Sequence, residues 1–275
     1  MNTSSLTPTD ATATFRALCD QRSLVLPNAW DAASAVCAAR AGAPAIATTS
    51  AGVAWAHGVS DGGGLTRNQT LRALADIARV TDLPVTSDIE YGYEEEDSKL
   101  ADFIKEVLDL GVSGINIEDS HAGGLVDAAH QARRITVVRT AAESSGVDLF
   151  INARVDTAFF GPTDTTQRDT ECLSRAASYI DAGADGIFVP GIVDIHTVTA
   201  LAETLSVPLN VMVGPGSPSV RALLDAGAGR ITTGMAGALA AYAQIESAAQ
   251  ELLRHGTYDS LTPAQDFGQF NTSMR

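Results

Sequence analysis

Two stretches of this 275-residue sequence turn acidic just where an apolar run ends: "LPVTSDIEYGY" from Leu83 and "GINIEDS" from Gly114. Residues two apart in a β-strand project from one face, so Asp88 and Glu90 are expected side by side at the end of the first run. Glu118 and Asp119 end the second. A third run, "LFINARVD" from Leu149, ends in Asn152, Arg154 and Asp156. With Asp61 from an upstream loop, these carboxylates converge on one rim, and Arg154 is the one evident cation among them. Clustered carboxylates repel unless something positive stands between them. Oxygen donors without a His or Cys pair suit a hard divalent ion, Mg2+ or Mn2+ as a substitute. Mg2+ takes one or two carboxylates directly, which leaves the other acids to hold its waters. An arginine beside such a site is suited to a two-pronged grip on a substrate carboxylate. Taken singly, any of these acids could be a helix cap or a solvent-facing loop residue; Asp31 and Asp119 fit best as helix caps or partners of arginine.

The elements that must position these groups are legible as a repeat. "RAGAPAI", "DLGVSGI", "DAGADGI" and "DAGAGRI" each place a glycine third, at Gly42, Gly111, Gly183 and Gly227. Each follows a helix-like segment and leads into an apolar run, as expected for a helix that ends on a left-handed glycine and turns into a strand. Eight such runs, starting at Leu24, Ala45, Leu83, Gly114, Leu149, Gly186, Pro208 and Arg230, alternate with amphipathic stretches. The pattern predicts an α/β fold, a single-domain (β/α)8 barrel over roughly residues 20–255 with a C-terminal extension over roughly 256–275. A doubly wound sheet would show a glycine-rich phosphate loop after its first strand, where this chain has "PNAWDAAS". Barrel chemistry sits at the C-terminal strand ends. Those ends add Asn28, Trp30 and Asp31 from strand one, Ser50, Ala51 and Gly52 from strand two, and Asn210 from strand seven.

The net charge of -15 disfavours nucleic acid and anionic membrane surfaces as partners, and any small anion must find a local cation. Three scattered cysteines, Cys19, Cys37 and Cys172, form no CxxC pair, which fits a reducing, cytoplasmic location. The first twenty residues lack the basic-then-apolar pattern of a secretory signal. No apolar stretch approaches the roughly 18 residues that span a bilayer.

Five motifs in order, "PNAWDAASA", "ATTSAGVAWAHG", "SDIEYGY", "GINIEDS" and "INARVD", resemble the isocitrate lyase / phosphoenolpyruvate mutase superfamily from about Leu24 to about Gly234. The resemblance implies a barrel whose eighth helix is exchanged between subunits, giving a homotetramer built as a dimer of dimers. It implies Mg2+ and a small 2-oxo or enolate-like carboxylate. Asp88 then stands as the direct metal ligand and Asp61, Glu90 and Glu118 as holders of its waters. The Ser50–Ala51–Gly52 turn would cradle the substrate, Arg154 would pair with its carboxylate, and Trp30, Asp31, Asn152 and Asn210 would complete the substrate contacts.

One departure matters. The lyases of this superfamily carry a gate loop whose Cys is the general acid, and this chain has "DSHAGGLVDAAHQARRI" there, with neither Cys nor Lys. The Lys and Asn gate of the mutases is missing as well. His121, in the same loop, is the expected proton donor, with Tyr91 and Tyr93 as rivals, and Gly123 and Gly124 would let the loop move as a lid. The three cysteines are expected to take no part. The expected function is a Mg2+-dependent lyase that cleaves or forms a C–C bond next to a carboxylate, through an enolate, in a small 2-hydroxy or 2-oxo (di)carboxylic acid. Phosphonate chemistry at a P–C bond is the alternative, disfavoured by the cation-poor gate. A non-catalytic, metabolite-binding barrel is the third reading.

Overall fold

The four glycine phrases fold as the repeat requires. Helices Ala32–Arg40, Asp97–Asp109, Thr165–Asp181 and Val220–Asp225 each end two residues before a glycine at positive φ: Gly42 (+92°), Gly111 (+79°), Gly183 (+106°) and Gly227 (+94°). A side chain there would be strained, so glycine lets each helix stop and the chain reverse into a strand. The structure, a computed structural model, describes residues 8–262 and 265–274.

The strands form one parallel sheet that closes on itself. Strand one is split at Pro27: Leu24–Leu26 pairs with strand eight (Arg230–Thr232), and Asn28–Ala29 pairs with strand two (Ile46–Thr48). Proline has no N–H for the ladder, so the strand changes neighbours there. Strands three (Val85–Asp88), four (Val112–Glu118), five (Phe150–Arg154), six (Gly186–Phe188) and seven (Leu209–Met212) complete the single-domain (β/α)8 barrel, their edges joined in that order. The main core lies between strands and outer helices, where Leu100, Phe103, Ile104, Ile115, Ile135 and Ile151 are fully buried.

The barrel interior is filled in an unequal way. Its floor is plugged by helix Pro8–Asp20, whose Phe15 packs edge-on against Phe150 at 5.7 Å between ring centroids. Gly114 makes room for it: a Cβ there would stand 2.7 Å from Phe15 Cε1. Above the floor lies a chain of amides. Asn152 Nδ2 donates to both Asn116 Oδ1 (2.9 Å) and Asn210 Oδ1 (3.1 Å), and Asn210 Nδ2 donates to Thr232 Oγ1 (3.1 Å). Arg230 is the odd member. It is 2% exposed, its Cζ lies 5.9 Å from the Phe15 ring, and none of its three side-chain nitrogens has a partner. Burial lowers its pKa to about 10, which still leaves it charged at neutral pH.

The last long helix, Ala236–His255, buries only Ala238 and Ala248, while Leu239, Ile245, Leu252 and Leu253 stand exposed. It touches the barrel at its start, where Gly237 meets the Trp30 ring. After it the chain returns: Phe270 and Met274, at the short helix Phe267–Ser273, pack against the cluster of Ala35, Val36 and Ala38.

An unpaired buried charge is costly, and an apolar side chain of similar length removes that cost. Arg230→Met is therefore expected to leave the fold intact and raise stability by about 1–4 kcal/mol. Thermal and urea unfolding measure this, and a clear loss of stability would mean that Arg230 has a compensating role in the barrel.

Candidate active site

A cavity of about 460 Å³ opens at the C-terminal ends of the strands, and Asp61, Asp88, Glu90, Glu118 and Arg154 all line it. Each acid is held differently. Asp88 ends strand three. Its Oδ2 accepts from Ser50 Oγ (2.9 Å) and Ser50 N (3.3 Å), while its Oδ1 is buried without a partner. Glu90 is not a continuation of that strand. It lies at φ +49°, in a turn with Gly92 (+95°) and Tyr93 (+60°), so the expected strand-like alternation of Asp88 and Glu90 does not hold. The turn still brings Glu90 into the cavity. There it accepts from Tyr93 Oη (3.0 Å) and Gly63 N (2.8 Å), which ties the Asp61 loop to strand three. The left-handed backbone of a non-glycine residue is strained, and these two bonds help to hold it.

Glu118 ends strand four and meets Arg154 Nη1 at 2.7 Å; Arg154 Nε bonds Asp156 Oδ1, also at 2.7 Å. This leaves Nη2 for a ligand, so the two-pronged grip expected of Arg154 is already committed to the two acids. Asp119 is turned away from the cavity: it accepts from Asp156 N (2.8 Å), Tyr179 Oη (2.8 Å) and Arg175 Nη1 (3.2 Å). Arg175 thus steadies Asp119, Asp119 steadies Asp156, and Asp156 steadies Arg154.

The electrostatics record the crowding. Burial, and then Asp88, push the Glu90 carboxyl up to about 7. Burial raises Glu118 well above the usual carboxylate range despite the opposing pull of Arg154. Asp61, at the solvent edge, is raised by partial desolvation and by Asp88. Burial works against charge on Arg154, but Glu118, Asp156 and Asp88 hold it firmly protonated. The donor set is all oxygen, with one buried orphan, Asp88 Oδ1, and therefore fits a hard divalent ion bound directly by few side chains. Among the described residues no three His, Cys, Asp or Glu side chains converge into a ready-made metal cage.

The remaining expected residues divide. Ser50 and Ala51 line the cavity at the start of helix Ser50–Ala56, as do Tyr91 and His121. Gly52 faces Trp30 instead: a Cβ there would stand 2.7 Å from Trp30 Cβ, so glycine serves close packing. Trp30 packs on Tyr242, and Asp31 caps helix Ala32–Arg40 by accepting from Ser34 N at 2.7 Å; neither lines the cavity. Asn152 and Asn210 face inward but belong to the amide chain beneath it. The amides that reach the cavity are Asn28, expected from the end of strand one, and Asn116, which sequence reading passed over. The gate is a short hairpin, Ser120–His121 against Gly124–Leu125, closed by Ala122 (φ +51°) and Gly123 (φ +82°), as two-residue mirror-image turns require. Within it the His121 ring stacks on Tyr91 at 3.9 Å, and its Nε2 lies 3.3 Å from Glu95 Oε1. No cysteine lines the cavity. Cys19 and Cys172 are buried, and burial pushes their thiols up to about 11 and about 12.

The family model for phosphoenolpyruvate phosphomutase matches residues 15–253, nearly the whole barrel. The chain belongs to the phosphoenolpyruvate phosphomutase family. Within it, the chain is 38% identical over 210 residues to an uncharacterized protein of Mycobacterium tuberculosis, covering 76% of this chain and 77% of that protein. It is 27% identical to 2-methylisocitrate lyase of Halalkalibacterium halodurans over 71% of this chain and 65% of the lyase. The crystal structure of 2,3-dimethylmalate lyase, a member of the phosphoenolpyruvate mutase / isocitrate lyase superfamily, superposes with a TM-score of 0.84 over 96% of this chain and 94% of its own, at 25% identity. The family thus contains lyases and mutases, on the same barrel.

A carboxyl whose pKa is raised in the folded state binds its proton more tightly there than when unfolded, so stability falls as pH rises between the two values. For Glu90 that window runs from about 4.5 to about 7. The chelator-treated protein is therefore expected to melt higher at pH 5 than at pH 8, with Glu90 contributing up to about 3 kcal/mol. Glu90→Gln should flatten part of that slope. Equal slopes for both proteins would show that Glu90 is an ordinary carboxylate.

Proposed function

We propose that the protein is a Mg2+-dependent lyase that cleaves or forms a C–C bond next to the carboxylate of a small 2-hydroxy or 2-oxo acid. The observation that carries this reading is the unpartnered, buried Asp88 Oδ1 in a cavity where four carboxylates face one guanidinium. Asp88 would hold Mg2+ directly, with Asp61, Glu90 and Glu118 holding it through water, and Mn2+ could substitute. Bound there, the ion supplies positive charge beside the negative charge that develops as the bond breaks.

The chain's own residues do the rest. Arg154 Nη2 takes a substrate carboxylate oxygen while Glu118 and Asp156 fix the guanidinium plane. Ser50 holds Asp88 in one rotamer through its hydroxyl and its N–H to Oδ2, which leaves Oδ1 without a protein donor. His121 supplies the proton: with Nε2 against Glu95, Nδ1 is the nitrogen free to exchange a proton with the cavity, and the stacked Tyr91 fixes the ring or replaces it as donor. Phosphonate chemistry fits less well, because among the described residues Arg154 is the only Lys or Arg lining the cavity and a phosphoryl group calls for more than one cation. The exposed apolar face of helix Ala236–His255 favours a homo-oligomer in which a second copy covers that helix.

Two substitutions test the assignment. Asp88→Ala should abolish Mg2+ binding in calorimetry while circular dichroism and melting report an intact barrel, because the lost group relieves repulsion and packs no core. An unchanged Mg2+ affinity would remove Asp88 as the direct ligand. Arg154→Lys should keep Mg2+ binding yet lower kcat/KM by roughly 30-fold or more, since one partner of a buried charged contact is worth about 2–5 kcal/mol. Near-native turnover by that variant, on any acid from a panel of 2-oxo and 2-hydroxy acids, would make Arg154 a purely structural partner of Glu118 and Asp156.

A further inference from the structure

The cavity has two unlike halves. Opposite the acids it is walled by Phe159, Phe160, Phe188, Met212 and Met235. Phe159 and Phe160 are 51% and 44% exposed, although both are large and apolar. They are not loose surface groups. Gly191, at φ +85°, passes beneath Phe159 so closely that a Cβ there would stand 3.1 Å from Phe159 Cε1. Met212 is seated as tightly on Gly234, where a Cβ would stand 2.3 Å from its sulfur.

Among the described residues the one cation that reaches this half is Arg154, whose Cζ lies 5.9 Å from the Phe188 ring, and Thr232 adds only a neutral hydroxyl. Arg154 already spends Nε and Nη1 on Asp156 and Glu118. The N–H groups of Thr233 and Gly234, beside the wall, both donate to Asn28 Oδ1 at 2.9 Å. A second carboxylate placed here would lose water for an Arg154 already committed to Glu118, Asp156 and the head-group carboxylate, which is unfavourable, whereas an alkyl group would gain by leaving water. Space is not limiting: about 460 Å³ equals the share of about fifteen waters at ~30 Å³ each, more than a 2-oxo acid head group fills.

We infer that the substrate is a 2-oxo or 2-hydroxy acid whose far end is an alkyl chain rather than a second carboxylate, and that Phe159 and Phe160 select it. This rests on the proposed metal and carboxylate reading of the acidic half. The test is calorimetry of the full chain with saturating Mg2+, titrated with pyruvate, 2-oxobutanoate, 2-oxopentanoate, 2-oxohexanoate and 2-oxoglutarate. Affinity should rise about fourfold with each methylene until the wall is covered. 2-Oxoglutarate should bind at least about tenfold more weakly than 2-oxopentanoate, which has the same number of carbons. Phe159→Ala and Phe160→Ala should each lower the ratio of long-chain to short-chain affinity, with an unchanged oligomer mass by light scattering. A flat chain-length series, tighter binding of 2-oxoglutarate, or variants that alter the oligomer mass but not the ratio would overturn the inference alone. Absence of Mg2+-dependent binding across the whole series would overturn the proposed function, and this inference with it.

Discussion

One guanidinium stands between two carboxylates at the mouth of this barrel, and the rest of the site depends on it. Arg154 meets Glu118 and Asp156 at 2.7 Å each. At such distances a pair of charges interacts by about 4 kcal/mol or more even in a protein-like dielectric. The pair is kept in place from behind. Asp156 receives its backbone position from Asp119, and Asp119 is gripped by Tyr179 and Arg175. The Ser120 hydroxyl donates to Asp156 Oδ2 and lies 3.4 Å from Glu118 Oε1, so the gate hairpin starts from the same network. Without Arg154 the cavity would hold only negative charge, and strands four and five would repel at their ends.

The acids on the other side have no such counter-charge. Ser50, Tyr93 and Gly63 supply Asp88 and Glu90 with neutral donors only; burial and the Asp88 charge outweigh the donors to Glu90 and raise its carboxyl, and Asp88 Oδ1 has no donor. The membership of the chain in a family of lyases and mutases agrees with a site built to bind something positive and something with a carboxylate. The gate is where this chain departs from the Cys-bearing loop of the lyases that it resembles, with "DSHAGGLVDAAHQARRI" in its place.

Much of this was legible before any coordinates. The period of two and the four glycine turns assign strands, helices and the closed barrel, because they follow from local backbone geometry. The acid-bearing strand ends were legible for the same reason. Depth along the barrel was not. A period of two says that Asn152 and Asn210 face inward, but not that they lie one level below the cavity; that depends on the stagger between neighbouring strands. Glu90 was misread as strand because its left-handed turn is uncommon for a non-glycine residue, although Gly92 two residues on was a hint. Asp31 was ambiguous between cap and ligand, and Ser34 three residues later was the signal of a cap. Phe159 and Phe160 follow the "ARVD" strand end after Thr157 and Ala158, but apolar residues near a strand end read as packing until a cavity is seen beside them.

The amide chain has a further consequence. It separates Arg230, sealed in the floor, from the carboxylates at the mouth by a layer that is polar yet carries no charge. The interior therefore carries positive charge at two depths, Arg230 sealed below the amides and Arg154 among the acids at the mouth. An arriving anion meets Arg154 among the acids, while the charge of Arg230 acts on it only from below, through the uncharged amides.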